Sequence, residues 1–116
     1  MEESTEIKTL EEFENLVNLS FKYPVLLFKF SPVCSISYYA EGQFKSFLAK
    51  TTAEFKVCTV DVIHSKAVAR GIADKIGIVH KSPQAILIKN GKAIWNESHG
   101  NLTEKEFKKH LEIDSL

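Results

Sequence analysis

The chain has 116 residues, of which 44% are hydrophobic and 26% charged, an ordinary globular balance that excludes disordered, collagen-like and coiled-coil classes. One core is expected at this length, so residues 1–116 are read as a single domain. Fifteen basic and fifteen acidic side chains cancel without a long block of either sign, so net charge draws the protein to neither nucleic acid nor an anionic membrane.

The longest apolar stretch runs from Pro24 to Phe30, is interrupted by Lys29 and is far shorter than the ~20 residues of a membrane-spanning helix. The acidic opening, Met1 to Glu6, has neither the basic nor the apolar region of a signal peptide, so a cytoplasmic location is expected. Cys34 and Cys58 are too few and too far apart for a disulfide framework or a zinc site, and a reducing compartment keeps both as thiols.

A weak strand at Ile7 comes first. Thr9 and Glu12 then form a capping box, and Phe13, Leu16, Val17 and Ser20 follow at helical spacing, so a helix is predicted over about 10–20. Val25 to Phe30, opened by Pro24, reads as a strand buried on both faces, and Ser31-Pro32-Val33 breaks it. From Ser35, the stripe Tyr38, Tyr39, Phe44, Phe47 and Leu48 predicts an amphipathic helix, with Cys34 at the junction.

Phe55 to Val62 is rich in β-branched residues and reads as a further buried strand, ending in a polar turn at 61–65. Ala67, Val68, Ile72, Ala73 and Ile76 mark the next helix, which Gly77 can end as a left-handed cap. Ala85 to Lys89 and Lys92 to Asn96 flank Asn90-Gly91, the pair best suited to a type I′ hairpin. A last helix begins near Leu102, with Thr103 and Glu106 as a second capping box and Phe107, His110 and Leu111 on one side. Right-handed crossovers place three strands parallel, and the closing hairpin adds an antiparallel edge strand. The fold class expected is α/β, a central mixed sheet flanked by helices, and the order of elements resembles that of thioredoxins.

A thiol is a nucleophile only as thiolate, and a helix N-terminus favours that anion through partial positive charge and unpaired backbone N–H groups. Cys34 occupies such a position among small or polar neighbours that suit an accessible turn, whereas Cys58 falls inside a core strand. A dithiol exchanger places a second cysteine three residues on. Here that residue is Ser37, which can hydrogen-bond a thiolate but cannot attack a mixed disulfide. Cys58 could resolve one only with its Cα within ~7 Å of that of Cys34. Ser82-Pro83 stands directly before a strand, and on local sequence alone an ordinary trans proline is the expected reading; only the thioredoxin-like order of elements favours a cis bond.

Leu27-Phe28-Lys29 leading to Cys34-Ser35-Ile36-Ser37, the block Ser82 to Gly91, Trp95 and Ser98-His99 together resemble the monothiol bacilliredoxin (YtxJ-like) family of the thioredoxin-like superfamily, over about residues 7–112. The Ser82 to Gly91 block is the most specific part, since a bare Cys-x-x-Ser matches often by chance. The resemblance implies a redox role in bacteria that use bacillithiol. Cys34 would be the nucleophile that removes bacillithiol from protein mixed disulfides, with Ser37 in place of a resolving cysteine. Ser82-Pro83 would form a cis-proline loop facing the cysteine, its exposed backbone pairing with an extended substrate.

No bound cofactor is implied; bacillithiol is a co-substrate. The implied partners are bacillithiolated proteins, together with free bacillithiol or a thioredoxin-like reductase that resets Cys34. Two departures stand out: Ser35 replaces the usual proline, expected to alter thiol acidity and redox potential, and Phe30 stands where histidine is common. Thioredoxins also carry a buried acid six residues before the nucleophile, where this chain has Phe28.

His99 matches the family's Ser-His pair and is a candidate border of the site, although the preferred reading is an exposed loop histidine without a catalytic role. His64, His80 and His110 show no metal-ligand pattern, so no metal is assigned. A rival of another class is a thioredoxin-like binding module that holds a partner without exchange. A third is a thioltransferase or peroxidase using another small thiol, such as glutathione or coenzyme A.

Overall fold

An apolar strand without polar alternation must be covered on both faces, and Val25–Phe30 is placed accordingly at the middle of a five-stranded sheet. The computed structural model describes residues 4–112; the acidic opening at 1–3 and residues 113–116 lie outside the described residues. The elements are β1 (Thr5–Glu6), α1 (Leu10–Leu19), β2 (Val25–Phe30), α2 (Ser35–Lys50), β3 (Lys56–Asp61), α3 (Lys66–Ile76), β4 (Gln84–Lys89), β5 (Lys92–Ser98), a 3-10 turn (His99–Asn101) and α4 (Glu104–Leu111).

The sheet order is β1-β3-β2-β4-β5. β1, β3 and β2 run parallel, as the crossover rule requires, and β4 and β5 form the antiparallel hairpin. Within that hairpin it is the interior strand β4 that opposes β2, and the edge strand β5 returns against β4. Ile7, expected in the first strand, lies just past it: its amide donates to Thr59 O at 2.8 Å and its side chain is buried. Among the described residues no helix is long and apolar enough to cross a membrane.

Alternation along β2 divides the core in two. Leu26 and Phe28 face α2 and α4, where Phe28 stacks on Phe44 with ring centroids 5.3 Å apart and Phe44 meets Phe107 in a tilted pair at 5.1 Å. Val25 and Leu27 face α1 and α3 with Phe13, Ile72 and Cys58. Helix α2 buries Ser37, Ala40, Phe44 and Phe47, a 3-4-3 spacing along one face. That phase corrects the predicted stripe: Tyr38 and Tyr39 point to solvent, Tyr38 being 80% exposed, because they fall one and two residues beyond Ser37 on the helix.

The capping box of α1 forms in full: Thr9 Oγ1 accepts from the Glu12 amide at 3.1 Å, and Glu12 Oε1 accepts from the Thr9 amide at 3.0 Å. The second box forms only by half. Thr103 Oγ1 caps the Glu106 amide, but the Thr103 amide already donates to Asn101 O in the preceding turn, and the Glu106 carboxylate pairs with His110 instead. Gly77 ends α3 at φ 71° as the predicted left-handed cap.

Asn90 and Gly91 both have positive φ, as a type I′ turn demands. This turn is stapled to the end of α1, with the Asn90 amide donating to Ser20 O and the Gly91 amide to Ser20 Oγ. Beyond it a bulge sets Leu87 against Trp95 but Ile88 against Ala93, so β5 continues past the predicted end at Asn96 to Ser98.

Two substitutions test this frame. Phe44→Ala is expected to cost about 3–5 kcal/mol in urea unfolding, because the ring is fully buried between two others. Gly91→Ala is expected to cost about 2 kcal/mol or more, since φ is 79° and an added Cβ would stand 2.7 Å from the Phe21 ring.

Candidate active site

β2 delivers the chain to Ser31, and the turn 31–34 closes with the Cys34 amide donating to Ser31 O at 3.3 Å. Cys34 is the N-cap of α2, with extended backbone (φ −107°, ψ 126°), and its side chain makes no capping bond. The thiol is half-buried. The hydrogen bond made by Ser37 is with Ser31, whose amide donates to Ser37 Oγ at 2.9 Å, so the serine braces the turn that carries the cysteine. Ser37 is buried, whereas Ile36 is exposed.

The register of β2 and β4 sets Lys29 against Gln84. The tail of β2 and the head of β4 therefore share one end of the sheet, and the Cys34 turn and the Ser82-Pro83 loop emerge there together. The Ser82-Pro83 bond is cis, the isomer expected from the order of elements and not the trans isomer that local sequence alone favours. Pro83 is buried; Ser82 is half-buried, and no hydrogen bond of its backbone or side chain occurs among the described residues.

His99 belongs to this end of the molecule through its backbone: its amide donates to Pro83 O at 3.0 Å, with φ 55°, while the ring is exposed. The apolar side chains of Val33, Ile36, Tyr38 and Val79 are exposed in the cysteine turn, the first turn of α2 and the loop before Pro83. A cleft of about 220 Å³ opens beside the turn, bordered by Phe30, Ser31, Pro32, Ser37, Tyr38 and Glu41.

Cys58 lies elsewhere. It is 0% exposed in β3, on the face covered by α1 and α3; its thiol donates to Leu26 O at 3.7 Å, and burial pushes its pKa strongly upward. The other histidines are dispersed: His64 Nδ1 meets Asp61 Oδ2 at 2.7 Å, His110 stacks on Trp95, and His80 sits in the loop leading to Ser82. The His80 ring is held below the usual histidine range by burial first and then by the charges of Lys29 and Arg70.

One residue of this region escaped the sequence reading. Lys29 registered as an interruption of an apolar run and as part of the Leu27-Phe28-Lys29 resemblance, with no role of its own, yet it is 0% exposed, on the opposite face of β2 from Phe28. Its Nζ donates to Gln84 Oε1 at 2.8 Å, and Gln84 Nε2 donates to Val79 O at 3.2 Å. Burial lowers the ammonium from its ordinary value near 10.5 to about 8. A lysine inside a strand otherwise read as buried on both faces was the available signal.

This shift carries a sign. The unfolded chain keeps the Lys29 proton up to about pH 10.5 while the folded chain gives it up from about 8, so between these values the unfolded state binds more protons and stability gains as pH rises. Cys58 acts in the opposite direction in alkaline solution, because its raised folded pKa keeps a proton that the unfolded thiol loses. Urea unfolding of the parent and of Lys29→Met at pH 7 and pH 9 separates the two, because Cys58 is common to both chains. The parent's stability relative to the variant should rise between these pH values, and a constant difference would contradict it.

The family model for the monothiol bacilliredoxin BrxC matches residues 5–107, a span that contains Cys34, Ser37, Ser82, Pro83 and His99. Among solved structures, one described as a candidate oxidoreductase with a thioredoxin fold superposes with a TM-score of 0.81 at 26% identity, covering 92% of each chain. Reduced Schistosoma mansoni thioredoxin pre-protein gives 0.74 at 20% identity, covering 95% of this chain and 96% of that one. Fasciola hepatica thioredoxin gives 0.73 at 20%, covering 93% and 96%. A thioredoxin fold with thiol redox function thus describes the molecule, and the chain belongs to the monothiol bacilliredoxin BrxC family.

Proposed function

We propose that the protein is a monothiol thiol–disulfide oxidoreductase that removes bacillithiol from protein mixed disulfides through Cys34. The observation that carries this reading is the contrast between the two thiols: Cys34 is partly exposed at a helix N-terminus, and Cys58 is sealed in the core. With Ser37 three residues on, the chemistry has one protein sulfur to work with.

In the first step the Cys34 thiolate attacks the bacillithiol sulfur of a protein–bacillithiol disulfide. The S–S bond breaks, the protein sulfur leaves as thiolate and takes a proton from solvent, and Cys34 carries bacillithiol as a new mixed disulfide. A second thiol, from free bacillithiol or a thioredoxin-like reductase, then attacks the bacillithiol sulfur of that adduct and releases Cys34. Ser82 and Pro83 would receive the substrate backbone, which suits Ser82, a residue that makes no hydrogen bond among the described residues, and Ser35 and Ile36 would border the sulfur. Bacillithiol serves as co-substrate, and such chemistry fits a bacterial cytoplasm that keeps thiols reduced.

The test uses a purified bacillithiolated protein and mass spectrometry of both partners. Cys34→Ser should abolish transfer, whereas Cys58→Ser should leave its rate within about twofold of the parent per folded molecule. Restoration of the test protein by the Cys34 variant would contradict the mechanism. Capture of the disulfide without transfer would mark a binding module. Faster reaction with glutathione or coenzyme A mixed disulfides would move the assignment to another small thiol.

A further inference from the structure

We propose that Lys29 and Gln84 are positioning residues for the exchange reaction: a buried relay from Lys29 Nζ through the Gln84 side chain to the Val79 carbonyl holds the 77–83 loop in the shape that presents Ser82 and Pro83 to substrate. This rests on the reading of Cys34 as the exchanging thiol.

The ends of the loop are held by packing, Ile78 against the core under α3 and Pro83 buried at the head of β4, and by backbone bonds. At its start the Gly77 and Ile78 amides donate to Ala73 O, and at its end Pro83 O accepts from the His99 amide. Between them Ser82 makes no hydrogen bond among the described residues, and the Val79 side chain is 76% exposed, so no core contact of that side chain fixes the middle. The bond from Gln84 Nε2 to Val79 O supplies that fixture from below.

Lys29 decides which way the Gln84 amide points. A lysine side chain offers only donors, so the Gln84 atom 2.8 Å from Nζ is the acceptor Oε1, which leaves Nε2 directed at Val79. Cross-strand pairing of Lys29 with Gln84 puts both side chains on one face, and both are essentially inaccessible to water, so neither bond can be exchanged for one to solvent. No carboxylate pairs with Lys29 among the described residues, and a buried, unpaired ammonium is costly. Its donor chemistry, rather than its bulk, is what a methionine of similar length would lack.

The experiment compares the parent with Lys29→Met, Lys29→Arg and Gln84→Glu. Steady-state kinetics on a bacillithiolated protein are read beside Cys34 alkylation by iodoacetamide and amide hydrogen exchange at His99. Lys29→Met should raise KM about fivefold with kcat and the alkylation rate nearly unchanged, the size expected for one lost hydrogen bond. His99 exchange should accelerate, because its acceptor sits on the released loop. Lys29→Arg retains a donor and should recover most of the loss. Gln84→Glu keeps an acceptor for Lys29 but cannot donate to Val79, so it should behave like Lys29→Met.

Unchanged KM and His99 exchange in both Lys29→Met and Gln84→Glu would overturn the relay. So would a parallel fall in kcat and alkylation, which would place Lys29 at the sulfur itself. If the parent does not act on bacillithiolated protein, the substrate reading fails, while His99 exchange in the variants still decides the relay.

Discussion

Everything at the functional end of the molecule depends on the pairing of β2 with β4. A strand that is apolar on both faces has no stable position except the interior of a sheet, and its antiparallel register with β4 sets Lys29 against Gln84. That single match brings the turn that follows Phe30 and the loop that precedes Gln84 to the same edge of the core. A shift by one residue would exchange the two faces of β2, driving Phe28 out of its aromatic stack and Lys29 into it. The hydrophobic pattern therefore also places the Cys34 turn and the Ser82-Pro83 loop at one end of the sheet.

The regular elements were legible because each carried a local signal that tertiary packing did not contradict. Thr9 with Glu12, Asn90 with Gly91, and Gly77 after an apolar stripe all took the conformations that their side chains demand. Where sequence and structure part, a packing choice or a nearby bond intervened. Tyr38 and Tyr39 lie within a stripe by spacing, but Ala40, Phe44 and Phe47 set the helix phase and turn the tyrosines outward. Glu106 is spaced to complete a capping box, yet the preceding turn had already satisfied the Thr103 amide.

The site was legible in its covalent chemistry and opaque in its support. Cys34 before a helix, Ser37 in place of a second thiol and Ser82-Pro83 before a strand can all be read along the chain. The Lys29–Gln84 contact spans 55 residues of sequence and exists only once strand pairing is known. The link from His99 to Pro83 is likewise a backbone bond from the end of β5 that no side-chain motif encodes. Such links escape motif reading because they belong to the register rather than to any segment.

The two faces of β2 show how a one-thiol site differs in its physical demands from a dithiol one. Deprotonating a second, buried thiol needs a proton acceptor beneath the helix. The position where thioredoxins keep a carboxylate is here Phe28, packed 5.3 Å from Phe44, so that face is given wholly to packing. The buried ionisable group of β2 lies one residue on, on the opposite face, and its hydrogen bond runs toward the loop rather than toward the sulfur. With Cys58 sealed in the core, the polar side chain of this strand bonds to Gln84, and Gln84 in turn to the loop that precedes Pro83. On the function proposed above, an outside thiol rather than a second cysteine would release Cys34, and turnover would depend on how well that surface receives it.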